Sequence, residues 1–174
     1  KKVNIEKVRK ILGNLIEEKN SIIQSLDKKY KYTFQNKKVK KYKKSKKFRI
    51  IGMGGSSLGT QAIYDFLKFK INKDFFFVNN FENKKKDNNK FVNLIVSKSG
   101  NTIETIVNSN ILIKKDEKNI FITENKKSYL YSLAEKLKAE IIDHNNYIGG
   151  RFSVLSEVGM LPAELMGLNR EKFK

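Results

Sequence analysis

The chain has 174 residues, of which 39% are hydrophobic, and it contains one histidine and no cysteine. This length suits one ordinary domain with a short appendage, and the composition excludes a disulfide scaffold, a thiolate metal site and a cysteine nucleophile. The formal net charge of +19 comes mostly from lysine. Proteins that recognise nucleic acids favour arginine, so we attribute the charge to composition bias and expect no specific binding of nucleic acid. A basic nucleic-acid-binding protein is the weaker alternative.

The chain is not expected to enter a membrane or to be secreted. No apolar run approaches the about 20 residues of a membrane span. The first residue is Lys1 rather than methionine, and no signal-peptide pattern follows it. We therefore expect a cytoplasmic protein whose chain is processed or partial.

The N-terminal part is predicted to be a helix followed by a connection. Apolar residues recur at helical spacing over residues 4–28. Residues 28–47 are dominated by lysine and tyrosine, and a run of lysines is usually a solvated segment. We assign residues 1–47 to this appendage and residues 48–174 to the main domain.

From residue 48 the predicted elements alternate. Strands are expected over 48–51, 75–78, 91–96, 119–123 and 140–143, and helices over 58–69, 102–114 and 128–138. A polar loop is expected over 84–90. Pro162 is expected to lie just inside the start of a final short helix. The nearly continuous apolar run over 91–96 is typical of the centre of a parallel sheet. The alternation predicts an α/β fold, a doubly wound parallel sheet flanked by helices.

A glycine-rich turn, GMGGSSLG, occupies residues 52–59 between the first predicted strand and its helix. Ligands of open α/β sheets bind at the carboxyl ends of strands, and glycines let the backbone approach a phosphate at a helix N-terminus. Ser57 stands where a dinucleotide fingerprint needs its third glycine, and no P-loop lysine follows. A tight turn without a ligand is the alternative, and the turn alone does not decide between them.

A second loop of the same kind, SKSGNTIET, follows the apolar strand at residues 97–105. Ser97, Ser99 and Thr102 can each donate to one phosphate group, and Lys98 can add a positive charge. Helix capping by Thr102 and Thr105 is the alternative. Capping would not require three hydroxyls and a glycine so close together, so we favour phosphate binding.

This loop is similar to the phosphosugar loop of the sugar isomerase (SIS) domain family. The resemblance implies that Ser97, Ser99 and Thr102 bind phosphate with Lys98 nearby. Glu104 matches a family position that is not the catalytic base, and we interpret it as structural.

The third motif is Gly149-Gly150-Arg151-Phe152-Ser153, in the segment that follows the last predicted strand. Paired glycines allow close approach of the backbone, and arginine is a permanent cation that can stabilise a developing oxyanion. A surface turn with one salt-bridged arginine is the alternative that the residues alone favour. The segment closely resembles the Gly-Gly-Arg-Phe/Tyr-Ser signature of phosphoglucose isomerases.

The three motifs occur in the order of that family, and the resemblance covers about residues 48–168. It implies interconversion of glucose 6-phosphate and fructose 6-phosphate through an enediolate, in glycolysis and gluconeogenesis, without a cofactor or metal. It assigns Arg151 to stabilisation of the transition state and Gly55, Ser56 and Gly150 to substrate binding. A homodimer is also implied. Glu157 departs from the family, in which we expect a small residue or proline.

In the family, the base glutamate, a ring-opening histidine and a further substrate-binding lysine come from a second domain, and none has a counterpart here. His144 precedes the Gly-Gly-Arg motif, so we interpret it as an ordinary loop residue and Asp143 as a turn residue. The chain is therefore expected to be a fragment with the phosphate clamp and the arginine but without the base. A stand-alone SIS sugar-phosphate-binding module or regulator is the alternative.

Overall fold

The sheet forms from segments rich in β-branched and aromatic residues, which suit a pleated, buried surface. A computed structural model describes residues 4–18, 20–82, 89–114 and 116–174. Within them, five parallel strands form one sheet in the order β2-β1-β3-β4-β5. The strands are β1 Lys47–Ile51, β2 Asp74–Val78, β3 Val92–Val96, β4 Lys118–Thr123 and β5 Glu140–Asp143.

Helices connect and flank these strands, which confirms the predicted doubly wound α/β fold. They are α1 Ile5–Glu17, α2 Ser21–Gln24, α3 Asn36–Lys40, α4 Leu58–Leu67, α5 Ile103–Leu112, α6 Tyr129–Lys136 and α7 Glu157–Met166, with short 3₁₀ helices at Gly54–Ser56, Lys68–Lys70, Gly150–Phe152 and Arg170–Phe173. Residues 84–88 of the predicted polar loop lie outside the described residues. Within the described part of the chain, no helix is long and apolar enough to cross a membrane.

Helices on both faces bury the sheet in two cores. On one face, β-strand residues such as Ile50 and Leu94 pack with α4 and α7. On the other face, Ile95 and Phe121 pack with residues of α5 and α6. Since β1 lies between β2 and β3, the chain leaves β1 towards one edge of the sheet and later returns on its other side. This creates a topological switch point between β1 and β3, where open α/β sheets bind ligands.

The prediction of one helix over residues 4–28 is wrong. Glu18 is extended, with ψ of 132°, and ends α1. The Asn20 side chain then accepts a hydrogen bond from the Ile22 backbone N–H at 2.9 Å and caps a separate short helix, α2. The apolar positions have the spacing of one helix, but this local capping divides the segment into two separate helices.

The interpretation of residues 28–47 as a solvated connection is wrong for its apolar side chains. Phe34, Val39 and Tyr42 are buried in the same core as the strands and α7. Their lysine neighbours remain outside, and Lys38 and Lys41 pair with Glu140 at 3.1 and 3.2 Å. The segment therefore packs on the sheet with one face while its charges stay in solvent.

Pro162 does not lie just after a helix start as predicted, because α7 begins five residues earlier, at Glu157. Proline has no N–H for the carbonyl oxygen four residues before it, which is that of Val158. The buried Thr60 hydroxyl donates to this oxygen at 3.0 Å. Thr60 thus replaces the hydrogen bond that the proline removes and joins α4 to α7.

We expect Thr60→Val to lower the free energy of unfolding by about 1–3 kcal/mol, because it leaves the Val158 oxygen buried without a donor. Thr105→Val is the matched control, since Thr105 is equally buried and its hydroxyl has no hydrogen-bond partner among the described residues. Urea denaturation of both variants measures the difference. Equal losses would contradict the role assigned to Thr60.

Candidate functional site

All three sequence motifs lie at the carboxyl edge of the sheet. The glycine turn (residues 52–59) follows β1, the serine loop (residues 97–105) follows β3, and the Gly-Gly-Arg segment (residues 149–153) follows β5. The first two flank the switch point between β1 and β3. Parallel strands thus bring together motifs that are about fifty residues apart in sequence.

The glycine turn and the Gly-Gly-Arg turn are in direct contact. A Cβ atom on Gly55 would lie 2.2 Å from the Gly150 carbonyl oxygen, so the approach requires glycine at position 55. The Ser153 hydroxyl donates to the Gly150 oxygen at 2.7 Å and lies 3.4 Å from that of Gly55. Ser56 is half-buried beside this contact, whereas Ser57 is fully buried.

The serine loop is held by its own hydroxyls. The Ser97 Oγ atom lies 2.9 Å from Thr102 Oγ1 and accepts the Gly100 N–H at 3.2 Å. Ser99 is exposed, and its Oγ accepts the Asn101 N–H at 3.2 Å. Ser97 is buried, so within this loop it shapes the backbone while Ser99 faces solvent.

Gly100 allows the serine loop to pack closely against the start of α6. Its φ of +68° is left-handed, and an added Cβ would lie 2.1 Å from the Ser128 Oγ atom. The Gly100 carbonyl oxygen accepts the Leu130 N–H at 3.0 Å, and the Asn101 side chain accepts the Tyr129 N–H at 3.0 Å. Both the backbone angle and the contact therefore require glycine here.

The start of α5 points into the serine loop without a side-chain cap. Thr102 occupies the N-cap position, but its side chain makes no capping hydrogen bond within the described residues; its hydroxyl contacts Ser97 instead. The capping alternative for Thr102 is therefore not what this part of the structure shows. Uncapped N–H groups and the positive end of the helix dipole favour an anion at such a position.

Lys98 connects the serine loop to the segment that precedes Arg151. Its Nζ atom donates to the Asn146 carbonyl oxygen at 2.5 Å and lies 3.7 Å from Glu124 Oε1. A hydrogen bond from Lys126, with smaller contributions from the charges of Lys126 and Lys98, lowers the pKa of Glu124. The predicted contact of Lys98 with a phosphate stays a prediction.

Arg151 is exposed on the short 3₁₀ helix of the Gly-Gly-Arg turn. Its guanidinium carbon lies 6.0 Å from the centre of the Phe152 ring. Across the described ranges we find no ion pair or hydrogen bond to this side chain. The arginine is therefore presented to solvent beside Gly55 rather than held in the salt bridge that the alternative interpretation expects.

His144 follows β5 and is buried, with 2% of its surface exposed. Its Nδ1 atom lies 3.1 Å from the Asn145 carbonyl oxygen, and burial lowers its pKa below the ordinary value. No group of three or more potential metal ligands that includes it is found among the described residues.

Because burial disfavours the protonated form of His144 in the folded chain, acid should weaken the fold. As the pH falls below about 6.5, the unfolded chain takes up a proton that the folded chain does not, so the free energy of unfolding decreases. We expect this loss in urea denaturation to begin as the pH falls through about 6.5 and to continue down to the lowered pKa of the folded chain. His144→Gln should reduce it, and an unchanged pH dependence in the variant would show that another group is responsible.

Sequence reasoning missed a buried polar network behind the Gly-Gly-Arg segment. Glu157 accepts hydrogen bonds from the Tyr30 hydroxyl at 3.0 Å and from the Thr33 N–H at 2.9 Å. These partners lie more than a hundred positions away, so no local pattern reveals them. The one available signal is the carboxylate of Glu157 at a position where a small residue or proline was expected.

Comparison with known proteins matches most of the chain. A family model described as phosphoglucose isomerase matches residues 14–173. The glucose-6-phosphate isomerase of Methanocaldococcus jannaschii is 38% identical in an alignment that covers 71% of this chain and 33% of that protein. That of Acholeplasma laidlawii is 37% identical in an alignment that covers 86% of this chain and 39% of that protein. The chain therefore spans less than half the length of these curated relatives.

Solved structures agree with this fold. A hypothetical protein from Thermus thermophilus superposes with a TM-score of 0.70 at 26% identity, over 95% of this chain and 44% of its own. The tagatose-6-phosphate ketose/aldose isomerase of Escherichia coli superposes with a TM-score of 0.60 at 13% identity, over 79% of this chain and 43% of its own. The second likeness supports the fold alone.

Proposed function

The chain belongs to the phosphoglucose isomerase family, and we propose that it forms the phosphosugar-binding part of a glucose-6-phosphate isomerase. The observation that carries the proposal is the meeting of three loops at the carboxyl edge of the sheet, with Gly55 against Gly150 and an exposed Arg151 beside them. In this proposal residues 48–174 are the phosphosugar-binding domain, and residues 1–47 are an appendage packed on it.

The phosphate of the sugar is assigned to the serine loop. Ser99 is exposed and Thr102 is half-buried at the uncapped start of α5. We assign both hydroxyls to the phosphate, together with that of Ser97, which lies 2.9 Å from the Thr102 hydroxyl and accepts the Gly100 N–H. Lys98 adds positive charge. The sugar then extends towards Gly55, Ser56 and Gly150 at the neighbouring turn.

The reaction moves a proton between two carbons of the open-chain sugar. A base removes the C2 proton of glucose 6-phosphate, and the electron pair forms a C1–C2 double bond while negative charge develops on O1. Return of a proton to C1, with transfer of the hydroxyl proton from O2 to O1, gives fructose 6-phosphate. We assign Arg151 to stabilisation of the O1 charge, since a fixed cation at a developing oxyanion lowers the barrier.

The proposed base lies outside these residues. The relatives are more than twice as long as the part that this chain matches, and the further sequence would supply the base of the complete isomerase. The proposal includes a homodimer and a role in glycolysis and gluconeogenesis, which would place the enzyme in the cytoplasm.

Thr102→Val tests the phosphate site by calorimetric titration with fructose 6-phosphate. A hydrogen bond to a charged group contributes about 1.5–3 kcal/mol, so we expect the affinity to fall roughly 10–100-fold. Thr105→Val, three residues further along and buried, is the matched control and should bind as the unaltered chain does. Equal affinities in both variants would contradict the assignment.

A further inference from the structure

One tyrosine hydroxyl from the N-terminal segment joins the two ends of the loop that carries Arg151. The Tyr30 hydroxyl donates to the Glu157 carboxylate, 3.0 Å from each of its oxygens. It also accepts a hydrogen bond from the Asn145 side-chain amide. Asn145 precedes Arg151 and Glu157 follows it, so this hydroxyl connects the two ends of the loop 145–157. Tyr30 lies 127 positions before Glu157 in the sequence.

The Glu157 carboxylate is committed to this contact. It is buried, with 1% of its surface exposed, and a buried carboxylate is costly unless hydrogen bonds compensate it. Tyr30 and the Thr33 N–H supply those bonds. Burial and the charge of Glu157 raise the pKa of Tyr30, so its hydroxyl keeps the proton that it donates.

Further hydrogen bonds hold the residues next to Asn145. The Thr33 hydroxyl donates to the Asp143 carbonyl oxygen at 2.7 Å and fixes the end of β5, just before the loop. The Asn146 carbonyl oxygen accepts Lys98 Nζ, so residues 145 and 146 are held by the N-terminal segment and by the serine loop. These contacts hold the N-terminal end of the loop whose turn meets Gly55.

We propose that Tyr30, Asn145 and Glu157 are positioning residues that hold the Gly149–Arg151 turn against Gly55 and so set the place of the Arg151 guanidinium. This inference rests on the proposed function, because its effect is felt where Arg151 meets the anionic oxygens of the reacting sugar. The three residues act through Arg151, and within the described part of the chain none of their hydrogen bonds goes to Ser99 or Thr102, which are assigned to the phosphate.

The test compares two ligands of the full chain by calorimetry. Fructose 6-phosphate reports the phosphate site, whereas 6-phosphogluconate carries a carboxylate at C1, where the enediolate develops its charge. Arg151→Gln defines how much of the preference for 6-phosphogluconate depends on the arginine. We expect Tyr30→Phe and Glu157→Gln to lower that preference about tenfold and to leave fructose 6-phosphate affinity nearly unchanged.

Tyr32→Phe is the matched control, because its hydroxyl contacts the Leu155 carbonyl oxygen only at 3.5 Å; it should keep the preference. In the Arg151→Gln background, Tyr30→Phe should have no further effect on the preference, as expected of residues that act as one unit. A purely structural role would instead lower both affinities together.

Each outcome separates the inference from the function on which it rests. If the unaltered chain binds neither sugar phosphate, the proposed function fails. If it shows an arginine-dependent preference that Tyr30→Phe and Glu157→Gln retain, only the positioning inference is overturned. Failure of both variants to fold would also overturn it, because the network would then be required for the fold and not for the place of Arg151.

Discussion

Gly100→Ala is expected to destabilise the chain by about 2–5 kcal/mol and to abolish binding of fructose 6-phosphate. The left-handed backbone, with φ of +68°, costs a residue with a Cβ about 1–2 kcal/mol. The Cβ would also lie 2.1 Å from the Ser128 Oγ atom, and overpacking of this kind typically costs about 1–3 kcal/mol. Relief of the clash would move the serine loop away from α6.

Gly54→Ala is the matched control for this variant. Gly54 also has a left-handed backbone, with φ of +56°, but an added Cβ would meet nothing within 4 Å. It should therefore show the backbone cost alone, about 1–2 kcal/mol. Urea denaturation gives the free energy of unfolding of both variants. Equal losses would contradict the claim that the serine loop is seated on α6 through Gly100.

Arg151→Lys is expected to lower kcat of the proposed isomerase by roughly 10²–10³, which is the usual effect of removing one oxyanion-stabilising group. Lysine keeps the charge but loses the rigid, two-pronged donor geometry of arginine. KM for fructose 6-phosphate should change little, because the phosphate is assigned to the serine loop and not to Arg151.

Steady-state kinetics in both directions of the isomerisation measures this effect. Arg9→Lys, on the exposed helix α1, is the control for the same chemical change away from the site and should leave kcat unaltered. A variant at Arg151 that keeps the full kcat would remove the arginine from the proposed mechanism and leave it a surface residue.

The sheet could be predicted from sequence because its signals are local. The apolar run that became β3 stands between turn residues. All five residues of this strand are buried, and parallel strands buried on both faces need such runs. The N-terminal region could not be predicted in the same way. Its apolar residues Val39 and Tyr42 are surrounded by lysines, and only the packed core shows that they are buried.

The candidate site could likewise be predicted only where its signals are local. Its loops were recognisable because each has its own glycines and hydroxyls within a few residues, as in the serine loop around Gly100. The contact of Gly55 with Gly150 depends on how two distant turns meet, and the bonds of Glu157 to Tyr30 depend on where the N-terminal segment packs. No spacing within a single segment encodes either contact.

The most direct test of the central claim is a thermal-melt titration of the chain with fructose 6-phosphate, with fructose and sodium sulfate as controls. A ligand at about 100 times its Kd adds about 2.7 kcal/mol, which raises Tm by about 5–10 °C for a chain of this size. We predict this rise for the phosphosugar, its absence with fructose, and its loss when Ser99→Ala is combined with Thr102→Ala. An unchanged Tm at saturating fructose 6-phosphate would contradict a preformed phosphosugar site in this chain.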